Sequence, residues 1–222
     1  MGSGMQQSRI RLKLCGLTRA EDIAPMVNSG ADAIGLVFYP PSRRYLTAEQ
    51  ARALWQQIPA LVTTVGLFVN PEPQAVQQVL AQAPVDLLQF HGEEMPDFCR
   101  SFKRPYIKAF RVGAPGLDSA AGLLDFCRRY ADARAWLFDS YTPEYGGSGV
   151  SFDLSILAEM QTRLGPADAP IILAGGLDLT NLQEKIQAIR PYAVDVSSGV
   201  EQAPGIKCAQ KIKQLSAALA AL

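Results

Sequence analysis

Residues 10–15 of the chain read Ile-Arg-Leu-Lys-Leu-Cys, and residues 135–139 read Ala-Trp-Leu-Phe-Asp. In the first stretch polar and apolar side chains alternate, so a β-strand there turns its leucines to one face and its polar residues to the other. In the second stretch Asp139 shares a face with Ala135 and Leu137. Both runs are predicted strands, and each ends on a reactive polar residue, Cys15 or Asp139.

Six more short β-branched or apolar runs follow along the chain, and amphipathic segments of about a dozen residues separate them. This alternation is typical of βα units that build a parallel sheet. The eight predicted strands are Ile10–Cys15, Ala31–Phe38, Val62–Val69, Val85–Phe90, Tyr106–Phe110, Ala135–Asp139, Ile171–Ala174 and Ala193–Ser197.

Eight βα units predict an α/β fold of the (β/α)8 TIM-barrel type, with one domain over residues 8–222. An open doubly wound sheet is the alternative, and it is less favoured because no GxGxxG follows the first strand. Residues 1–7 read Met-Gly-Ser-Gly-Met-Gln-Gln, and we expect them to be a disordered tag remnant. In such a barrel the functional groups belong at the carboxyl ends of the strands.

Two helix starts carry a capping signal. Thr18 is followed three residues later by Glu21, and Thr47 is followed three residues later by Gln50. Each pair predicts a capping box at the start of a helix.

The composition excludes several classes of partner. Lys plus Arg and Asp plus Glu both number 21, so the formal net charge is zero. The chain therefore lacks the excess of basic residues that would indicate a nucleic-acid ligand. The apolar runs are shorter than the roughly 20 residues that a membrane span needs. We therefore expect a cytoplasmic protein without nucleic-acid or membrane partners, and a monomer, because no long apolar surface stripe is evident.

The metal-ligating residue types are sparse. The chain has one histidine and four dispersed cysteines without a CxxC pair. We expect reduced thiols and no metal site.

A thiol and a carboxyl group at the same end of a barrel form a candidate acid–base pair, so Cys15 and Asp139 are the candidate catalytic residues. An ordinary cysteine is only a few per cent thiolate at pH 7, and Lys13, on the same strand face as Cys15, would favour the thiolate. The alternatives are a buried structural Cys15 and a turn or N-cap role for Asp139.

Three glycine-bearing loops occur late in the chain, at residues 145–149, 174–177 and 197–200. Glycine lets backbone N–H groups approach an anion closely, and the loops after strands seven and eight are the usual phosphate site of this fold. Each loop taken alone is better explained by a tight turn. Together they predict a phosphorylated small-molecule substrate, with candidate contacts at Gly147, Gly175, Gly176, Ser197, Ser198 and Gly199.

Three further residues are candidates at the same end. Either Arg43 or Arg44 is suited to a substrate carboxylate, with a solvated basic loop as the alternative. His91 is placed either to orient the substrate or to make a local hydrogen bond. Asp195 is predicted on the inward face of the last strand, and an ion pair with Lys13 or Arg11 is the simplest explanation for a carboxylate at that position.

These segments together resemble the phosphoribosylanthranilate isomerase family of tryptophan biosynthesis from Arg9 onward. Several ordered motifs at family spacing carry the resemblance. The matching stretches are residues 13–18, 30–35, 38–45, 65–70, 89–94, 138–149, 174–177 and 195–201.

The resemblance implies a cofactor-free Amadori rearrangement of N-(5-phosphoribosyl)anthranilate to 1-(2-carboxyphenylamino)-1-deoxyribulose 5-phosphate. It implies that Asp139 is the general acid for ring opening and that Cys15 is the general base at C2. It also implies that Arg44 holds the anthranilate carboxylate and that backbone groups of Gly176, Ser198 and Gly199 hold the phosphate. The chain departs from the family pattern at Leu154 and Cys208, on or beside outer helices.

Two other functions stay open from the residues. A metal-dependent sugar-phosphate epimerase abstracts a similar proton, but its histidine ligand set is not available here. A non-catalytic phosphosugar-binding barrel is the second alternative.

Overall fold

The computed structural model describes residues 9–114, 116–140 and 154–222. Eight parallel strands close into a barrel in chain order, with the eighth paired to the first, so the predicted single-domain (β/α)8 barrel is confirmed. Residues 1–7, predicted to be a tag remnant, lie outside the described residues. The strands are β1 Arg11–Cys15, β2 Ala33–Val37, β3 Thr63–Phe68, β4 Leu87–Phe90, β5 Tyr106–Val112, β6 Ala135–Ser140, β7 Ile171–Leu173 and β8 Ala193–Val196.

Helices follow the strands on the outside of the barrel, and every predicted strand is found within two residues of its expected ends. No helix in the described ranges is long and apolar enough to cross a bilayer. The helices are α1 Ile23–Asn28, α2 Ala48–Trp55, α3 Pro73–Gln82, α4 Pro96–Ser101, α5 Ala120–Arg128, α6 Leu154–Gln161, α7 Leu182–Ile189 and α8 Ala209–Ala220.

The period of two along the strands divides the apolar core into two layers. One face of β6 places Trp136 and Phe138 in the large layer between strands and helices. The other face places Ala135 and Leu137 in a smaller cluster with buried residues of four other strands, including Val65 on β3. That second cluster fills the interior of the barrel. Closer to the carboxyl ends of the strands, the inward-facing side chains are polar.

One of the two predicted capping boxes is present. The Thr47 hydroxyl accepts from the Gln50 backbone N–H, and the Gln50 side chain accepts from the Thr47 N–H. The box at Thr18 is wrong, because the Thr18 hydroxyl instead donates to the carbonyl of Gly205. The first helical turn, Ala20–Asp22, follows Arg19 without a side-chain cap.

A small hairpin after β8 was not predicted. Strand β9 (Glu201–Ala203) pairs antiparallel with β10 (Ile206–Lys207) across the Pro204-Gly205 turn. It brings Glu201 and Lys207 back over the ends of β1 and β8, where both side chains are buried.

A buried ion pair fixes the loop after β4. Lys108 on β5 donates from Nζ to the carbonyl of Gly92 (2.6 Å) and to Oε2 of Glu94 (3.1 Å). Oε1 of Glu94 accepts from the backbone N–H groups of Asn70 (2.8 Å) and Gly92 (3.1 Å). Both charged side chains are almost fully buried, so separating them would be costly. The pair therefore fixes the position of this loop relative to the barrel.

Replacing Lys108 by methionine should lower the free energy of unfolding by about 3–5 kcal/mol, because Glu94 then keeps a buried charge without its cation. Urea denaturation followed by circular dichroism measures the change. Lys213→Met, at an exposed site on α8, is the matched control and should have little effect. Equal midpoints for the two variants would contradict the structural role of the pair.

Candidate active site

The predicted site residues gather at the carboxyl ends of the strands. Cys15 is the last residue of β1, Asp139 is the last but one of β6, and His91 directly follows β4. The inward face of each strand carries these side chains above the apolar filling of the barrel. The strands β1 and β6 are separated by β7 and β8 along one side of the closed sheet.

Cys15 is 5 % exposed and lies between two buried lysines. Beneath it, Lys13 donates from Nζ to both carboxylate oxygens of Asp195 at 2.8 Å, the ion pair that the alternation along β1 and β8 predicts. Burial raises the pKa of the Cys15 thiol, while the charges of Lys13 and Lys207 lower it and that of Asp195 raises it. The net pKa is raised, so the expected help from Lys13 is present but does not outweigh burial.

Asp139 has both carboxylate oxygens engaged. Oδ1 accepts from the backbone N–H of Ser140 at 2.7 Å, and Oδ2 lies 3.1 Å from Nε2 of His91. Gly175, with a φ of +83°, passes so close that a Cβ there would lie 3.1 Å from Oδ1. The loop after β7 therefore needs glycine at this position, and it brings the predicted phosphate-site loop beside the carboxyl group.

His91 makes the local hydrogen bonds that were one of its two predicted roles. Its Nδ1 lies 2.9 Å from Nε2 of Gln89, which is fully buried on the inward face of β4. Its Nε2 faces Asp139, and the side chain is nearly buried. His91 thus belongs to the site through Asp139.

Arg44 reaches the site paired with a carboxylate of the protein. Its Nε and Nη2 donate to the two oxygens of Glu201 at 2.8 and 2.7 Å. The aliphatic part of the Arg44 side chain lies over Gly16, where a Cβ would collide with Arg44 Cδ. Burial lowers the pKa of Arg44, but the hydrogen bond and charge of Glu201 outweigh it and raise the net pKa.

Lys207 joins three elements of this end of the barrel. Its Nζ donates to the carbonyl of Cys15, to the carbonyl of Ser197 at 3.2 Å and to Oε1 of Glu201 at 2.8 Å. The Ser197 hydroxyl also donates to the Cys15 carbonyl, at 3.1 Å. The ends of β1 and β8 and the hairpin are therefore held by one buried ammonium group.

The loops after β7 and β8, which carry the candidate phosphate contacts, lie against each other. Gly199 packs against the carbonyl of Leu177, which leaves no room for a side chain. Beside this contact is a cavity of about 380 Å³, lined by residues that include Gly176, Ser198, Gly199, Lys211 and Gln214. Gly147, also predicted to contact the substrate, lies outside the described residues.

Several polar residues of this end were not predicted as site residues; among them, Lys185 donates to the Gly175 carbonyl at 3.1 Å and Asn181 donates to the Gly176 carbonyl at 2.8 Å. Gln89, Glu201 and Lys207 bind the predicted residues directly, and Lys211 lines the cavity. The Pro204-Gly205 pair signals the turn that returns Lys207 to the site. Alternation along β4 places Gln89 inward, like His91, but no sequence signal pairs Glu201 with Arg44 across 157 residues.

The described residues offer acid–base groups and anion contacts. No group of three or more His, Cys, Asp or Glu side chains is arranged to hold a metal ion within them. The four cysteines are free thiols. A buried thiol flanked by cations, a carboxyl group with fixed oxygens and an arginine suit proton transfer on an anionic substrate.

Comparison with known proteins gives a consistent result. The family described as N-(5'-phosphoribosyl)anthranilate (PRA) isomerase matches residues 12–218. The N-(5'-phosphoribosyl)anthranilate isomerase of Bordetella pertussis is 57% identical over 211 residues, which cover 95% of this chain and 96% of that protein.

Solved structures of the same kind superpose closely. Phosphoribosylanthranilate isomerase from Thermotoga maritima is 38% identical with a TM-score of 0.83, covering 96% of this chain and all of that one. A second structure, in complex with reduced 1-(o-carboxyphenylamino)-1-deoxyribulose 5-phosphate, is 34% identical with a TM-score of 0.80 and the same coverage. A third, of monomers generated from the dimeric T. maritima protein, is 35% identical with a TM-score of 0.80 and the same coverage.

Replacing Lys207 by methionine should raise the pKa of Cys15, because a cation that favours the thiolate is removed. The pH dependence of Cys15 alkylation by iodoacetamide, located by mass spectrometry in a Cys208→Ser background, measures the shift. Lys211→Met is the matched control, since Lys211 donates to the Glu201 carbonyl and not to Cys15. An alkylation profile that Lys207→Met leaves unchanged would show that this cation does not act on the thiol.

Proposed function

The chain belongs to the N-(5'-phosphoribosyl)anthranilate isomerase family, and we propose that Cys15 and Asp139 carry the two proton transfers of its reaction. The reaction is an aldose–ketose (Amadori) rearrangement of N-(5-phosphoribosyl)anthranilate in tryptophan biosynthesis. The observation that supports the assignment is the placement of a cation-flanked thiol and a carboxyl group at the same end of the barrel.

Asp139 opens the ring as general acid. Its proton goes to the furanose ring oxygen, the bond from C1 to that oxygen breaks, and the anilino nitrogen lone pair completes a Schiff-base cation. The carboxylate that remains accepts from the backbone N–H of Ser140 and faces Nε2 of His91 at 3.1 Å.

Cys15 acts next as general base. Its thiolate takes the proton from C2, and the electron pair of the C–H bond neutralises the Schiff base to give an enolamine. Protonation at C1 and loss of the C2 hydroxyl proton then yield the ketone. The sequence of steps is an internal redox exchange within the sugar, so proton transfers suffice and no cofactor is proposed.

The two anionic ends of the substrate fix its register. Arg44 binds the anthranilate carboxylate through Nη1, which Glu201 does not use. The phosphate lies against the backbone of Gly176, Ser198 and Gly199, beside the cavity that Lys211 lines. Asp195 acts through Lys13 and does not need to touch the substrate.

The activity itself is tested by the loss of fluorescence of N-(5-phosphoribosyl)anthranilate on addition of the purified chain. Turnover that persists in EDTA supports the isomerase, whereas a loss of turnover that a divalent metal restores would support the epimerase.

The cytoplasmic location and the monomeric state stay predictions.

Cys15→Ser and Asp139→Asn should each lower kcat by about two or more orders of magnitude, because each removes one general acid–base step. Binding of the reduced product analogue, measured by calorimetry, should be largely kept. Turnover by either variant at the rate of the parent would remove that residue from the mechanism.

Arg44→Ala should raise KM with a smaller effect on kcat, because the carboxylate contact exists in both the ground state and the transition state. Steady-state kinetics measure the two parameters separately. Arg43→Ala, the neighbouring arginine, is the control. A decrease confined to kcat would contradict a binding role for Arg44.

A further inference from the structure

Gln89, His91 and Asp139 form one hydrogen-bonded row across β4 and β6. The fully buried Gln89 places Nε2 2.9 Å from His91 Nδ1, and His91 places Nε2 3.1 Å from Asp139 Oδ2. Each ring nitrogen of the imidazole therefore has a single facing group within the row. In a neutral imidazole one nitrogen carries the proton and donates, and the other accepts. Whether Gln89 faces Nδ1 with a donor or an acceptor therefore decides whether Nε2 donates to Asp139 or accepts from it.

We propose that Gln89 is a positioning residue that holds His91 in its Nε2–H tautomer, so that the imidazole donates to the Asp139 carboxylate after proton delivery. The amide N–H of Gln89 requires Nδ1 to accept, which leaves the ring proton on Nε2. The inference rests on the proposed role of Asp139 as general acid.

The opposite arrangement has a different consequence. If the Gln89 amide turned over, Oε1 would accept from an Nδ1–H, and a bare Nε2 would face Asp139 Oδ2. That nitrogen could bind the protonated carboxyl group but would repel the carboxylate. The tautomer thus sets whether Nε2 of His91 donates to Oδ2 of Asp139 or accepts from it, and the orientation of Gln89 in the structure makes Nε2 the donor.

The surroundings keep the row in place. Lys108 and Glu94 hold the loop on which His91 lies, through the backbone of Gly92. The N–H of Ser140 fixes the second oxygen of Asp139 at 2.7 Å. Oε1 of Gln89 is buried without a hydrogen-bond partner among the described residues, so one end of the row is held by the Nε2 contact alone.

His91 is the only histidine of the chain, so the tautomer can be measured without assignment. Protein labelled with 15N-histidine and free of any histidine tag gives a single imidazole in a long-range 1H–15N spectrum. At a pH where the ring is neutral, we expect a protonated Nε2 and an unprotonated Nδ1. A protonated Nδ1 in the neutral ring would overturn the inference.

Substitutions at Gln89 test whether this residue sets the tautomer of His91. Gln89→Leu removes the donor and should give a mixture of tautomers, whereas Gln89→Glu supplies an acceptor and should protonate Nδ1. Both variants should lower kcat by roughly tenfold or more with little change in KM, the order of effect known for hydrogen-bond partners of metal-bound histidines. A tautomer unchanged in both variants would contradict the role of Gln89.

Rescue separates this role from simple packing. A glutamine at position 91 can place an N–H near Oδ2 of Asp139, whereas a leucine cannot. His91→Gln should therefore retain clearly more kcat than His91→Leu when urea denaturation shows the two variants equally stable. Equal kcat values for the two would overturn the donor role.

Failure of the proposed function has a different signature. If Asp139→Asn keeps full turnover, the general acid is wrong whatever the tautomer. If Asp139→Asn abolishes turnover and the spectrum shows a neutral ring protonated at Nδ1, only the inference about Gln89 fails.

Discussion

Burial of charge is the constraint on which this end of the barrel depends. Three buried lysines are each paired with a buried carboxylate: Lys13 with Asp195, Lys108 with Glu94, and Lys207 with Glu201. An unpaired charge at such a site costs several kcal/mol, so each lysine requires its partner at a fixed distance. Each pair joins separate parts of the chain, and satisfying the charges therefore fixes the relative positions of the strand ends, the loop after β4 and the hairpin.

Each pair supports one functional group. The Lys13–Asp195 pair lies below Cys15, and the Lys207–Glu201 pair holds the Cys15 carbonyl and the guanidinium of Arg44. The Lys108–Glu94 pair fixes the loop of His91, which contacts Asp139. Asp139 stays partly accessible and Cys15 is nearly buried, and the charged pairs that orient them are buried beneath and beside them.

The fold was predictable because its signals are local. The alternation in residues 10–15 and 135–139 fixes the inward faces of β1 and β6, and thereby the positions of Cys15 and Asp139. The alternation in residues 193–197 places Asp195 inward on β8, beside Lys13. What escaped prediction depends on contacts between distant segments. Thr18 has the spacing of a helix cap, yet its hydroxyl binds Gly205, and Glu201 pairs with Arg44 through a hairpin whose position only the closed barrel determines. The raised pKa of Cys15 likewise follows from burial, which a pattern of charges along one strand does not reveal.

The central claim is that Cys15 and Asp139 act on one substrate held at its two anionic ends. A crystal structure of this chain with reduced 1-(o-carboxyphenylamino)-1-deoxyribulose 5-phosphate tests it most directly. The account predicts the Cys15 sulfur against C2 of the sugar chain and Asp139 against the hydroxyl derived from the ring oxygen, with the phosphate at the backbone of Gly176 and Gly199. A sugar chain that lies out of contact with Cys15 or with Asp139 would contradict it.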